Sequence, residues 1–324
     1  MRTIPICILL VAEAAAMPLQ HPGRITLTKE QLETYDRDGV VLVKGVLTGW
    51  RLRRLKSTAE GILQQNGPRV AGYRLIDFQG WRNNCVLRSV ACDGTVPDLV
   101  AQVMRLKTDE RLRVLKDAML ALKPGDEGCG WHVDDKFFWP CHDSATNEDA
   151  RLEGVNVWIT LSPLTAAEGG GLAVASRSAR AAWREEARMA IAGAVGHVPN
   201  TCRMATLSPA THRRLERMKV LHQMEPGDAL LHSRYCFHRS ETFAHGDLKL
   251  RYSIRYMPED ARIFNNGFEA VLKAKRLQGG ESLAACGEFY PQVWPRPLWR
   301  ERMLIRMGRI TEEVLPKASP KTHS

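Results

Sequence analysis

Trp131-His132-Val133-Asp134 is the most informative short pattern in this sequence. In an extended segment, side chains two residues apart point to the same face, so His132 and Asp134 can bind one ion from one side. Two protein ligands leave such a site incomplete, and a third ligand is expected elsewhere. The best candidate is His238, which follows the turn-forming pair Gly227-Asp228 and a predicted strand. Two imidazoles and one carboxylate on one octahedral face, with open positions, are typical of non-haem Fe(II) oxygenases.

The segment from Leu250 to Tyr256 supplies the second half of the pattern. Apolar or aromatic residues alternate there with Arg251, Ser253 and Arg255, which predicts a strand with one polar face. An inward-facing arginine followed by a serine on the same face can bind a carboxylate through paired N–H donors and a hydroxyl. 2-Oxoglutarate needs such a site, because its keto-acid end binds the metal and its far carboxylate meets an arginine. Arg251 and Ser253 are therefore the predicted cosubstrate residues, with a structural salt bridge of Arg251 as the alternative.

The chain resembles the phytanoyl-CoA dioxygenase-like branch of the Fe(II)/2-oxoglutarate oxygenases. The resemblance rests on ordered blocks between about residue 27 and about residue 260: Asp38 to Leu47, Trp131 to Asp134, Val157 to Leu172, and Gly227 to Arg251. It implies a mainly β fold with flanking helices, a double-stranded β-helix (jelly-roll, cupin-like) barrel. It also implies a dioxygenase that uses Fe(II), 2-oxoglutarate and O2 to hydroxylate a small organic substrate, with succinate and CO2 as co-products.

The resemblance also implies roles for residues outside the two motifs. It places Trp158 beside the cosubstrate, with Asn156 on the same inner face, and it puts Met119 at a position that lines the 2-oxoglutarate pocket. Ordinary core packing is the alternative for Trp158 and Met119. The aromatic run after the metal motif is expected to line a substrate cavity, although core packing would give the same pattern. The candidate substrate residues are Phe137, Trp139 and Asn156.

Two of the predicted site residues have competitors nearby in the sequence. His232 precedes His238, but the His-x-Ser pattern at His238, followed by Arg251, fits the family spacing better. The family also often has a non-ligating histidine in the place of His232. Lys249 is expected on the same strand face as Arg251, and the Arg-x-Ser pairing favours Arg251. Asp134 argues against a halogenase, because that chemistry needs a non-ligating residue there to make room for chloride.

Length, hydropathy and charge narrow the class of protein. The chain has 324 residues with 44% hydrophobic content, which is ample for a sizeable core. No apolar run is long enough to predict a transmembrane segment. The net charge of +10 comes from basic clusters at helical spacing, such as Arg51 to Lys56, so nucleic-acid binding is not expected. The excess of cations instead favours an anionic small-molecule substrate.

A single catalytic domain is expected, with additions at both ends and one inside. The predicted segments are a signal segment or disordered N-terminus (1–24), the domain (25–314), a helical insertion (179–222), a C-terminal extension (262–314) and a polar tail (315–324). The polar and aromatic segment 68–95 is expected to be either a substrate-covering loop or an irregular surface connection.

The cellular compartment is indicated by two features that point in different directions. Met1-Arg2 and the apolar run from Ile4 to Ala12 are compatible with secretory entry through residues 1–16, with a true start at Met17 as the alternative. The 8 cysteines form no C-x-x-C pair, and scattered free thiols favour an intracellular setting.

Two other functions stay open at the level of the sequence. One is a metalloenzyme on the same barrel that uses Zn or Ni without 2-oxoglutarate. The other is a non-catalytic metal-binding barrel protein. The intact pocket at Arg251 argues against the first, and the complete set of ligands, His132, Asp134 and His238, argues against the second.

Overall fold

The computed structural model describes residues 25–65, 73–134, 139, 141–142, 153–180, 182–184, 186–187, 208–263, 279–287 and 289–296. The helices are α1 (Lys29–Asp38), α2 (Gly49–Gln65), α3 (Gly80–Asn83), α4 (Cys85–Cys92), α5 (Thr95–Val103) and α6 (Pro209–Arg217), with a 3-10 helix at Leu283–Cys286. The strands are β1 (Val40–Val43), β2 (Leu75–Phe78), β3 (Leu112–Leu122), β4 (Cys141–His142), β5 (Val155–Thr160), β6 (Leu172–Ala175), β7 (Lys219–Val220), β8 (Ala229–Ser233), β9 (His238–Ser240), β10 (Lys249–Pro258), β11 (Arg262–Ile263) and β12 (Gln292–Trp294). Within these ranges, no helix combines the length and the apolar character needed to cross a membrane.

Antiparallel pairing organises the strands into a large and a small sheet. The large sheet has the strand order β1-β8-β5-β10-β3-β12, and β2 also pairs with β3. The small sheet has the order β7-β6-β9, and β4 pairs separately with β11. The sheets curl into a half-barrel, which confirms the predicted jelly-roll fold.

Alternation along β10 gives the large sheet two faces of different character. Tyr252, Ile254 and Tyr256 pack into the main hydrophobic cluster with residues of the helices α2, α4 and α5. The alternate positions point to the other side together with their direct partners on β5: Arg251 opposite Thr160, Ser253 opposite Trp158, and Arg255 opposite Asn156. One face is therefore packed against helices, and the other forms a polar interior.

The N-terminal helix α1 begins as the sequence predicts and leads directly into the large sheet. The Thr28 hydroxyl accepts the backbone N–H of Gln31 at 3.1 Å, and the Gln31 side chain accepts the backbone N–H of Thr28 at 3.0 Å. Gly39 ends the helix at a φ of 74°, and a Cβ added there would lie 2.5 Å from the Cβ of Ala179. Strand β1 then pairs with β8, so the N-terminal strand is part of the sheet that carries the site.

The segment 68–95, expected as a loop or a surface connection, contains regular structure over its described part. Strand β2 pairs with β3, and the helices α3 and α4 follow directly. Trp81 in α3 is buried, and its backbone N–H donates to Asp117 Oδ2 on β3 at 2.9 Å. Residues 73–95 therefore pack as scaffold against the sheet, while residues 68–72 lie outside the described residues.

Asp117 is a buried carboxyl on the helix-facing side of β3. Tyr252 donates its hydroxyl to Asp117 Oδ2 at 2.6 Å, while Asp117 Oδ1 has no partner among the described residues. Burial raises the pKa of Asp117 to about 7. A carboxyl with a raised pKa binds its proton more tightly in the folded state. The stability it contributes is therefore fully present below its unfolded pKa of about 4 and is lost as the pH rises through about 7.

We expect the substitution Asp117→Asn to remove this pH dependence. Asparagine keeps the shape and the acceptor oxygen for Trp81 and Tyr252 but carries no titrating proton. The free energy of unfolding of the variant should exceed that of the wild type by at most about 4 kcal/mol at pH ~8 and by only about 1.5 kcal/mol at pH ~5. Denaturant unfolding at both pH values measures this difference. A difference that stays constant between the two pH values would contradict the prediction.

Candidate metal and cosubstrate site

His132, Asp134 and His238 come together at one point of the polar interior. Their ligand atoms all lie within 4.8 Å of one another. Asp134 Oδ1 is 3.7 Å from His132 Nε2 and 3.6 Å from His238 Nε2. The backbones of the two histidines form an antiparallel bridge, with reciprocal N–H to oxygen distances of 2.9 Å. This bridge joins two segments that are far apart in the sequence and presents three ligand atoms to one position.

Backbone carbonyls fix the orientation of both imidazoles. His132 Nδ1 lies 2.6 Å from the carbonyl oxygen of Gly130, and His238 Nδ1 lies 2.9 Å from that of Cys236. Because a carbonyl oxygen only accepts hydrogen bonds, each Nδ1 carries a proton, and each Nε2 is the ring nitrogen that faces the gap between them. Both histidines are thus oriented so that Nε2 is the atom that a divalent metal would meet.

The two carboxylate oxygens of Asp134 have different surroundings. Oδ1 faces the histidines, whereas Oδ2 accepts N–H groups from Arg255 at 2.8 Å, Trp139 at 3.1 Å and Asn156 at 3.3 Å. Burial alone would raise the pKa of Asp134, but the Arg255 guanidinium and the neighbouring histidines hold that pKa well below its usual range. Asp134 is therefore ionised at neutral pH and can serve as a metal ligand.

His232 lies beside this group without joining it. Its ring centre is 4.8 Å from that of His238, and its Nδ1 is 3.0 Å from the carbonyl oxygen of Ser233. Burial, with a smaller effect of the nearby His238, lowers the pKa of His232 to about 3, so the ring is neutral. The geometry agrees with the choice of His238 over His232 as the third ligand.

Arg251 is a buried cation with an unused donor. Its side chain is buried, its Nη1 donates to the carbonyl oxygen of Gly170 at 3.0 Å, and its Nη2 has no partner among the described residues. The guanidinium carbon lies 5.6 Å from the ring centre of Trp158 and 5.3 Å from that of Tyr73. Burial lowers the pKa of Arg251, yet an arginine stays protonated in proteins. An anionic ligand at Nη2 would offset the cost of burying this charge.

Lys249, the competitor of Arg251, is already engaged. Its Nζ donates to Glu168 Oε1 at 2.8 Å and to the carbonyl oxygen of Pro163 at 3.1 Å. A lysine held by a carboxylate has less to offer a second anion than an arginine with an unpaired N–H group. The structure therefore favours Arg251 as the anion-binding residue on this face of β10.

Hydroxyl groups from Ser253 and from another part of the chain lie on the Arg251 side of the site. Asp134 can only accept, so the amide nitrogen of Asn156 faces it, and the amide oxygen faces Ser253 and accepts its hydroxyl proton at 2.7 Å. That proton is engaged by Asn156, and the role predicted for Ser253 at a cosubstrate carboxylate stays a prediction. Tyr73 and Ser240 share one hydrogen bond of 2.5 Å, and the ring centre of Tyr73 lies 5.3 Å from the Arg251 guanidinium carbon.

Tyr73 and Ser240 are thus candidate cosubstrate residues that the sequence did not single out. Ser240 belongs to the His-x-Ser pattern at His238, which held a usable signal for it. Tyr73 lies in a segment without clear periodicity, and nothing in the sequence points from it to Arg251.

Met119 is not part of the polar interior. It stands opposite Tyr252 in the β3–β10 ladder and packs in the main hydrophobic cluster, while its neighbour Leu120 stands opposite Arg251. Successive residues of a strand point to opposite faces, so an error of one position moves a side chain out of the pocket. The position predicted for Met119 does not fit this face, and it is Leu120 that shares a face with Arg251.

The candidate substrate residues within the described ranges support Asp134 instead. Trp139 is fully buried beside residues of the C-terminal segment, such as Phe289 and Tyr290, and its indole N–H is spent on Asp134. Both ends of the Asn156 amide are engaged as well. These two side chains therefore bind a candidate metal ligand, and their contact with a substrate stays a prediction. Phe137 lies outside the described residues.

Comparisons with known proteins agree with this geometry. The sequence matches the family described as Phytanoyl-CoA dioxygenase (PhyH) over residues 35–244. Among solved structures, the chain is similar to the non-heme alpha ketoglutarate dependent carbocyclase SnoK from nogalamycin biosynthesis, with 20% identity, coverage of 84% of this chain and 99% of that chain, and a TM-score of 0.64. The corresponding values for the epimerase SnoN from the same biosynthesis are 18%, 82%, 98% and 0.56. For EctD from S. alaskensis with 2-oxoglutarate and 5-hydroxyectoine they are 16%, 74%, 78% and 0.53.

The structural similarities are all at low identity, and they establish the fold. A comparison with curated protein sequences gave no significant match. The family match spans well over half of the chain and includes His132, Asp134 and His238. The chain therefore belongs to the phytanoyl-CoA dioxygenase family, and it is an enzyme of the Fe(II)- and 2-oxoglutarate-dependent dioxygenase class.

Proposed function

We propose that the protein hydroxylates a small, anionic organic substrate, with Fe(II) bound by His132, Asp134 and His238 and 2-oxoglutarate bound at Arg251. The observation that carries the proposal is the buried Nη2 of Arg251, which has no partner among the described residues. A metal site without a dicarboxylate cosubstrate would have no use for a buried cation with a spare donor on the same sheet face. The donor set, two imidazoles and one carboxylate, suits ferrous iron.

The residues of the chain bind and orient the reacting groups. When bound, Fe(II) and 2-oxoglutarate supply the oxidation of a C–H bond by O2, with succinate and CO2 as co-products. Arg251 and the Tyr73–Ser240 pair would hold the far carboxylate of the cosubstrate. Trp158 is buried and lies against the Arg251 guanidinium, where it excludes water. An anion held in such a low-dielectric place interacts more strongly with the guanidinium than it would in water.

Charge supports an anionic substrate. The chain carries a net charge of +10. Arg234 is buried with its guanidinium carbon 5.2 Å from the ring centre of Trp139, whose indole binds Asp134. Positive charge so close to the metal ligands would attract an anionic group towards the reacting position and raise the association rate.

The first experiment is an anaerobic titration of purified protein with Fe(II) and then with 2-oxoglutarate. The bound chelate should produce a weak visible charge-transfer band. Correctly folded, iron-loaded wild type without such a band would overturn the assignment of 2-oxoglutarate.

The second experiment tests small carboxylates and phosphates as substrates of the enzyme, with their neutral amide and ester analogues as controls. Succinate should form above the substrate-free rate with anionic members only, and the product should gain one oxygen atom from isotopically labelled O2. Succinate formation coupled to ring closure or epimerisation, the reactions described for SnoK and SnoN, would keep the cosubstrate and overturn the hydroxylation. Equal rates with the neutral analogues would overturn the anionic substrate class.

A further inference from the structure

We infer that Arg255, assisted by Trp139, is a positioning residue that keeps Asp134 a one-oxygen metal ligand. The inference rests on the metal site of the proposed function. Neither residue belongs to the group of ligand atoms, and both would act on the metal through Asp134.

The evidence begins with the occupancy of Asp134 Oδ2. Arg255 Nε donates to it at 2.8 Å, and the indole of Trp139 and the amide of Asn156 add N–H groups at 3.1 Å and 3.3 Å. A carboxylate oxygen with three N–H donors has little lone-pair density left for a metal. Oδ1 faces His132 and His238 and accepts none of these three bonds.

The donors come from separate parts of the fold, and each is restrained in its own way. Arg255 lies on β10 directly opposite Asn156 on β5, so one ladder position fixes both. Asn156 is turned the right way by the Ser253 hydroxyl. Trp139 is packed in a hydrophobic cluster with Met257 of β10. Rotation of the Asp134 carboxylate would break bonds to all three donors, so its orientation is set by the scaffold.

Charge strengthens this arrangement. The side chains of Arg255 and Asp134 are 5% and 3% exposed, so their attraction is only weakly screened by solvent. The hydrogen bond between them joins two ionised groups, and such bonds are shorter and stronger than those between neutral groups. Arg255 is therefore the donor whose loss should free Oδ2 most completely.

The consequence concerns the number of open positions at the metal. With one oxygen of Asp134 and two histidines as ligands, an octahedral metal keeps positions for the cosubstrate and for O2. A carboxylate that bound through both oxygens would take one of those positions. Arg255 and Trp139 would thus keep Asp134 from occupying a coordination position that the cosubstrate or O2 needs.

The test uses Mn(II) as a probe and counts metal-bound water by the broadening of its paramagnetic resonance lines in oxygen-17-enriched water. Arg255→Gln should show one metal-bound water fewer than the wild type, because Asp134 Oδ2 becomes free to bind. Arg255→Lys, which restores a charged N–H donor, should return the count towards that of the wild type. Arg239→Gln removes a cation next to His238 that pairs with Glu216, and it should keep the wild-type count.

Each outcome bears on the inference or on the site beneath it. An unchanged water count in a folded, Mn(II)-binding Arg255→Gln protein would overturn the inference and leave the proposed function standing. If the wild type bound Mn(II) no more tightly than His238→Ala does, both would fall. If Arg255→Gln does not fold, Trp139→Phe decides, since loss of the indole donor should lower the mean count by less than one water. An unchanged count in that variant would overturn the inference as well.

Discussion

We expect Arg251→Ala to weaken 2-oxoglutarate binding by about 30-fold or more while the affinity for the metal stays nearly the same. Removing one partner of a buried, hydrogen-bonded charge pair costs about 2–5 kcal/mol, and each 1.4 kcal/mol corresponds to about tenfold in affinity. Arg251 is buried, and its Nη2 awaits a partner, so a carboxylate there would be such a pair. The dissociation constant of 2-oxoglutarate on the Mn(II)-loaded protein, measured by calorimetry, gives the effect.

Lys249 provides the matched control for this variant. It is a cation on the same face of the same strand, but its Nζ is already bound to Glu168. Lys249→Gln should leave the dissociation constant of 2-oxoglutarate within about threefold of the wild type. A loss in Lys249→Gln as large as that in Arg251→Ala would show that the anion site is wrongly assigned to Arg251.

The second large effect is expected at the metal. His238→Ala should reduce the affinity for Fe(II) or Mn(II) well beyond the roughly 10- to 100-fold that loss of an outer-shell partner costs. The reason is that His238 Nε2 is one of the ligand atoms grouped around Asp134 Oδ1. Competition with a chelating dye measures the affinity, and circular dichroism shows whether the variant is folded.

His232→Phe is the companion variant, because it keeps a ring of similar size beside His238. The metal affinity of this variant should fall by no more than about 100-fold, the range of an outer-shell effect. A folded His232→Phe protein that had lost its metal, beside a His238→Ala protein that retained it, would reverse the assignment of the third ligand.

The metal ligands could be predicted because their signal is short in range. His132 and Asp134 are fixed by the period of an extended strand, and the alternation along β10 placed Arg251 and Arg255 on one polar face. The described structure shows that same face on β10. Patterns that repeat along a strand can be recognised in the sequence without any knowledge of tertiary contacts.

Other features of the site depend on contacts that no local pattern encodes. Met119 and Leu120 are neighbours on β3. Only the register with β10 shows that Leu120, and not Met119, shares a face with Arg251. The Ser253 hydroxyl donates to the amide oxygen of Asn156, because the amide nitrogen of Asn156 donates to Asp134. Such a chain depends on which atom of an amide faces which neighbour, and this is decided by the packed structure alone.

Trp139 shows the same limit from another side. Its position shortly after the metal motif suggested a cavity wall, but its ring packs against the C-terminal segment and only its N–H reaches the site. An aromatic residue near a ligand in sequence can therefore serve the ligand rather than the substrate.

Strand β10 also fixes the distance between Arg251 and Arg255. Arg255 is bound to a metal ligand, and in the proposed arrangement Arg251 holds the far end of the cosubstrate. Strands rise about 3.3 Å per residue, so the Cα atoms of these two arginines stand about 13 Å apart, a span held rigid by pairing with β3 and β5. In that arrangement, the backbone spacing would set the length of the keto diacid that fits between the metal site and Arg251. A preference for a longer or shorter diacid would require the anion-binding side chain to come from another position on this face of β10.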